Sequence, residues 1–135
     1  MNTKPVLTDV DVQTILQGAA RYAREHQWAV TISVVDDGGH LLGLLRLDGA
    51  APITATISPG KARASAMGRR ESSAYETSIN EGRTAYLSVP MDAMLEGGVP
   101  ILVDGQVVGA VGVSGVKSVQ DVEIGKAGIA ALLSP

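Results

Sequence analysis

The sequence predicts an α+β fold, and three observations carry that prediction. Two pairs of strand-like segments are each joined at hairpin distance, around Asp36-Asp37-Gly38-Gly39 and around Asp104-Gly105. Segments with helical spacing of apolar residues precede, separate and follow those pairs, an order that suits antiparallel pairing rather than a doubly wound sheet. The 135 residues are 45% apolar and 19% charged, with mean hydropathy +0.19, enough to close one core and too apolar for a disordered chain. A single domain over residues 1–135 is the expectation.

The elements follow in order. Thr8 is placed as a helix N-cap with Asp11 at N3, and Val12, Ile15, Leu16, Ala19 and Ala23 recur on one face up to about His26. From Trp28 to Asp36 the period changes to two, with Val30, Ile32 and Val34 on one side of a strand. A second strand, His40 to Leu47, puts His40, Leu42, Leu44 and Arg46 on one face and Leu41, Gly43, Leu45 and Leu47 on the other. Ser58 and Pro59 have the chemistry of N-cap and N1, which starts a helix at Pro59 running to about Arg70. Ser72 to Leu95, punctuated by Gly82 and Pro90, is a broken helical or loop region ending at Gly97-Gly98. Val99–Val103 and Gln106–Ser114 flank Asp104-Gly105, expected to form a type I′ turn. Ser118 then caps a last helix, with Asp121 at N3 and Val122, Ile129, Leu132 and Leu133 inward.

Composition removes several function classes. Without Cys there is no disulfide, thiolate metal site or cysteine nucleophile, and two His do not make a His-rich metal centre. A net charge of -3 and 3% aromatic residues argue against nucleic-acid partners. The start, MNTKPVLTDVD, lacks the apolar run of a secretory signal, and no stretch approaches a membrane span, so a soluble cytoplasmic protein without a membrane partner is expected.

Lys61 is the most informative residue for chemistry. At N3 of a helix starting at Pro59 its charge would oppose the helix dipole, and with free amides from Gly60 onward it would form a cradle for a carboxylate or phosphate. The alternative is a solvated surface lysine. If the cradle holds, Lys61→Met should leave folding intact or improved while weakening the ligand; otherwise the site is to be sought nearer His40 and Arg46. The phosphate-loop pattern fails, because Gly60-Lys61 is followed by Ala62 and position 55 is Ala. His40 is either a polar residue at a turn rim, a haem ligand or a general base. Arg46 and Asp48 are either a surface pair or part of a site. Gly112, placed in a row with Val108, Ala110 and Ser114, admits the close approach of a helix or a flat ligand. Ser114 lacks the second glycine of a nucleophile elbow, since Val116 stands there. Asp121 is either a general base or a helix-capping carboxylate.

The runs VVDDGGHLLGLLRLDGA, KARASA and EGGVPILVDGQVVGAVGVSGVKSVQDVEIGKAG together resemble the GlcG/HbpS-like family of haem-uptake and glycolate-operon domains, also found as the C-terminal part of PduO. The likeness covers Thr8 to Leu133. It implies a profilin-like α+β fold, an antiparallel five-stranded sheet with helices on both faces, assembled as a homo-oligomer. The fifth strand would then lie within Thr54–Ile57 or near Tyr86–Val89. The resemblance also implies a small-molecule binding protein of a catabolic pathway with haem as ligand, axially held by His40, Tyr75, Tyr86 or Met67. A ligand with an acidic group would meet Lys61, Gly60, Gly97, Gly98, Ser114, Gly115 and Arg46. The competing expectation is a cofactor-independent enzyme on a small organic acid, with Lys61 as anion anchor and His40 or Asp121 moving a proton.

Overall fold

The computed structural model describes residues 1–134. In chain order it contains α1 (Asp9–Glu25), β1 (Thr31–Asp36), β2 (Leu41–Arg46), α2 (Thr54–Gly68), α3 (Ser73–Asn80), a 3-10 turn (Thr84–Ser88), β3 (Gly98–Val103), β4 (Gln106–Ser114) and α4 (Ser118–Leu133). The sheet has four strands in the order β2-β1-β4-β3, every neighbouring pair antiparallel. The fifth strand is absent among the described residues. Thr54–Ile57 is the first turn of α2, and Tyr86–Val89 lies at the end of the 3-10 turn.

Helices α1 and α4 pack on each other and on one sheet face, while α2 covers the other face over β4, β1 and β3. Ile32, Val34, Val111 and Val113 point to the α1 and α4 side and close the main core with Ile15, Ala19, Ile101 and Ile124. Leu133, expected inward on α4, is exposed, and Ile124 takes the buried position. The other face is small and polar. Val35 and Ala110 meet Ala62 and Ala66, the Thr31 and Thr54 hydroxyls pair at 2.8 Å, and Ser58 donates to Ser33 Oγ at 2.7 Å and to the Gly112 carbonyl at 2.8 Å. A Cβ at Gly112 would collide with the Ser58 carbonyl, so the small-residue row admits a helix, not a ligand.

Both hairpins form. Asp104 and Gly105 have φ of +51° and +75°, as a type I′ turn requires. A register shift in β1/β2 at Val34/Val35, and another in β3/β4 at Ile101/Leu102, change the faces read from strict alternation. Leu41 thus pairs with Val35 and Leu44 with Ser33, which puts both leucines on the α2 side, while Val108 joins the core on the opposite side. His40 precedes β2, its backbone N–H donating to Asp36 Oδ1 at 2.9 Å.

The start of α2 differs most from expectation. Its first amide hydrogen bonds run from Thr54 to the Ala51 carbonyl and from Ala55 to that of Pro52, so the chain turns helical near Pro52 and Pro59 lies inside the helix. The Ser58 hydroxyl does not cap; buried against the sheet, it satisfies Ser33 and Gly112 instead. In α1, by contrast, the Thr8 capping box forms as read, with Asp11 N–H donating to Thr8 Oγ1 at 3.2 Å and Thr8 N–H to Asp11 Oδ2 at 2.8 Å. The N-cap of α4 is Lys117, whose N–H donates to Gln120 Oε1 at 3.3 Å, which leaves Asp121 one position beyond N3 and turned inward.

Candidate functional site

Two places in this fold gather the charged residues that the sequence singles out. The first is interior. Lys61 lies in the middle of α2, not at its start, so the free amides of an anion cradle are not beside it. Its ammonium donates to Asp121 Oδ2 at 3.1 Å and to the Val113 carbonyl at 2.9 Å, and the two side chains are only 5% and 2% exposed. Asp121 Oδ1 accepts from the Val116 N–H at 3.3 Å. Gly97 lies against the Lys61 stem, and Gly98 is so close to the Lys61 carbonyl that any side chain there would collide with it. Burial pushes the Asp121 carboxyl up to about 6 from its ordinary 3.8, with Glu96 adding to the rise, while Lys61 and the Val116 N–H pull it down.

Of the residues expected to form one ligand site, Lys61, Gly97, Gly98 and Asp121 do meet, but as a closed joint between α2, β4 and α4. Gly60 faces Asp92 and Ala93, Ser114 is buried on the face shared with Thr31, and Gly115 abuts the Ala29 carbonyl. His40 and Arg46 stand at opposite ends of β2. The interior group holds three elements together, with the Lys61 ammonium turned to acceptors inside the protein.

The second place is the end of the sheet where α1 finishes and β2 ends. A pocket of about 390 Å³ is lined there by Arg24, Trp28, Leu45, Arg46 and Asp48, with Gln27, Ala29 and Leu47 completing its wall. A second, of about 500 Å³, adjoins it through Arg24 and Leu45 and adds Arg21, Gln17 and Glu25. Among the described residues none of Arg21, Arg24 and Arg46 has a carboxylate within 4.0 Å, so Arg46 and Asp48 share a pocket without forming an ion pair. The His26 ring, which lines neither pocket, packs against both Tyr22 and Trp28, at centroid distances of 4.4 and 4.5 Å. Its Nδ1 is 2.8 Å from the Tyr22 carbonyl. Sequence reasoning passed over His26 as a helix end; the spacing Tyr22, His26, Trp28, with the first two on one helical face, was the available signal.

The other aromatic residues form a separate cluster. Tyr75 and Tyr86 pack edge to face at 5.3 Å, with Arg70 over the first ring and Arg83 over the second. Among the described residues no three of His, Asp and Glu converge as a metal site would need.

Known proteins share this architecture and much of the sequence. Residues 7–130 match the family model of HbpS-like haem-degrading proteins. Protein GlcG of Escherichia coli K12 is 51% identical over 114 residues, covering 84% of this chain and 85% of that one. The Streptomyces reticuli HbpS double mutant superposes with a TM-score of 0.88 at 26% identity, over 98% of this chain and 90% of that one. The PduOC:heme complex superposes with a TM-score of 0.82 at 23% identity, over 94% and 95%, a likeness of fold.

Proposed function

This chain belongs to the HbpS-like family, and we propose that it is a small-molecule binding protein whose ligand is flat, largely apolar and acid-bearing, with haem as the candidate. The observation that carries this reading is the set of three guanidinium groups without carboxylate partners among the described residues, around pockets walled by Trp28 and Leu45. Guanidinium forks match carboxylates bidentately, and an indole offers a rigid flat surface. In a chain of net charge -3, such a local excess of cation marks where an anion is received.

Haem suits these residues. Arg24 and Arg46 would hold its propionates, with Trp28 and Leu45 against its apolar body. When bound, haem supplies the iron at which ligand exchange and electron transfer take place. The chain's own part is to fix the orientation of the acidic edge and to exclude water from the apolar one. The family description and the haem in the PduOC complex support the choice of ligand. The enzyme alternative rested on Lys61 as anion anchor, and its 5% exposed side chain has its acceptors inside the protein, so we assign Lys61 and Asp121 to the framework.

Titration with ferric haem, followed by absorbance, tests this. A Soret band saturating at about one haem per chain is expected, and Arg24→Ala with Arg46→Ala should weaken it roughly tenfold or more, about 1.4 kcal/mol. A spectrum that stays that of free haem would end the haem reading.

We also propose a homo-oligomer. Leu41 and Leu44 lie exposed on the sheet face beside α2, with Met67 exposed near Gly39, and a second copy is the simplest cover for them. Sedimentation at micromolar concentration should give more than one chain per particle; a clean 13.9 kDa species would refute it.

A further inference from the structure

We infer that the arginine site recognises a porphyrin by its carboxylates and its apolar body and not by its metal, so the metal-free ring is as good a ligand as haem. The inference rests on the binding reading above and widens its ligand class to porphyrin acids with or without iron. The side chains that ordinarily hold haem iron are those of His, Cys, Met and Tyr. Among the described residues, none of these lines either pocket at the α1–β2 end, and the chain has no Cys. Each pocket has one carboxylate in its wall, Asp48 in the first and Glu25 in the second, and carboxylate oxygen suits harder ions than haem iron.

The usual iron ligands are placed elsewhere. The His26 ring stacks on Trp28 at 4.5 Å and 25°, so it covers the indole instead of facing a group bound in the pocket. His40 stands at the end of β2 away from Arg46. The Tyr22 hydroxyl donates to Glu123 Oε2 at 3.2 Å, and Tyr75 and Tyr86 pack on each other. Met67 lies near Gly39, and Met94 lines a separate apolar pocket with Ile79 and Leu87. What the site does offer is Arg24 and Arg46 in one pocket and Arg21 in the next, the two joined through Arg24 and Leu45. Affinity then comes from guanidinium–carboxylate pairs and apolar contact, and a metal-free ring supplies both in full.

Quenching of Trp28, the single tryptophan, measures Kd of the full-length protein for ferric haem, metal-free protoporphyrin IX and the dimethyl ester of the metal-free ring. The metal-free acid should bind as tightly as ferric haem or to within about tenfold of it, and the ester at least about tenfold more weakly than the acid. His26→Ala and His40→Ala should leave the ratio of the two acids unchanged, since packing acts on both rings and ligation only on the iron. Ferric haem bound more than about tenfold tighter than the metal-free acid overturns the inference and leaves the binding reading standing. A variant that abolishes such a gap would name the ligand. Failure of both acids to bind, or an ester as tight as its acid, overturns the binding reading as well.

Discussion

The joint at Lys61 and the α1–β2 end use the same side-chain chemistry to opposite effect. At the joint every charge has a partner: the ammonium has a carboxylate and a carbonyl, and the carboxylate has a backbone N–H as well. At the α1–β2 end, among the described residues, three guanidinium groups stand without carboxylates around pockets walled by Trp28 and Leu45. A buried charge that is fully satisfied has little left to offer a ligand, whereas an exposed one without a partner does. Whether a charge is partnered therefore separates framework from site more reliably than a cation placed at a helix start.

Breaking the joint should have the largest effect on stability. Asp121→Ala leaves the Lys61 ammonium buried without its counter-charge, and a loss of about 3 to 5 kcal/mol is expected from chemical denaturation. Lys61→Met, expected from the sequence to spare folding, should also destabilise, because it strands Asp121; Lys61→Met with Asp121→Leu should recover much of the loss. An unchanged midpoint in Asp121→Ala would dissolve the distinction drawn between the two regions.

The next effect depends on pH. The folded Asp121 carboxyl titrates at about 6, above its ordinary 3.8, so the folded state holds the proton more tightly than the unfolded chain. This contribution is present in full below about pH 4 and is lost as pH rises to about 6, by up to about 3 kcal/mol. Comparing Asp121→Asn with the parent across that range isolates it, since the variant cannot titrate there. Equal slopes would remove Asp121 as the group responsible.

A smaller and opposite pattern belongs to the other region. Arg24→Ala should lower haem affinity about tenfold, some 1.4 kcal/mol, while moving the denaturation midpoint by no more than about 0.5 kcal/mol. A fall in stability without a fall in affinity would make Arg24 part of the framework. Gly105→Val is the control outside both regions. Nothing lies within 4 Å of its added Cβ, so the cost is backbone strain at φ +75°, roughly 1 kcal/mol, with haem affinity unchanged.

How far each region could be read from the sequence follows from how local its physics is. The Thr8 box and the Asp104-Gly105 turn depend on residues at most three apart, and both form as read. Pro59 misled because Pro52 offers the same start signal about two turns earlier, and the sheet claims the Ser58 hydroxyl. The Lys61–Asp121 pair spans 60 residues, and no local pattern announces it. Face assignments in β2 and β4 failed at bulges, which shift the register by one residue and are invisible to strict alternation. The five-stranded sheet came from resemblance alone, and residues 54–57 instead form helix. Arg46 was within reach as a candidate, but its companions Arg21 and Arg24 come from α1, which only the packing of α1 on β2 brings near.

The central claim is that ligand enters at the α1–β2 end and not at the Lys61 joint. Titrating isotope-labelled protein with diamagnetic gallium protoporphyrin, while following its NMR spectrum, tests that claim most directly. The Trp28 indole N–H and the amides of Gln27, Arg46 and Leu47 should shift with increasing ligand, while those of Lys61, Gly97, Val116 and Asp121 hold their positions. Shifts at Lys61, Gly97 and Asp121 with an undisturbed Trp28 indole would contradict the account.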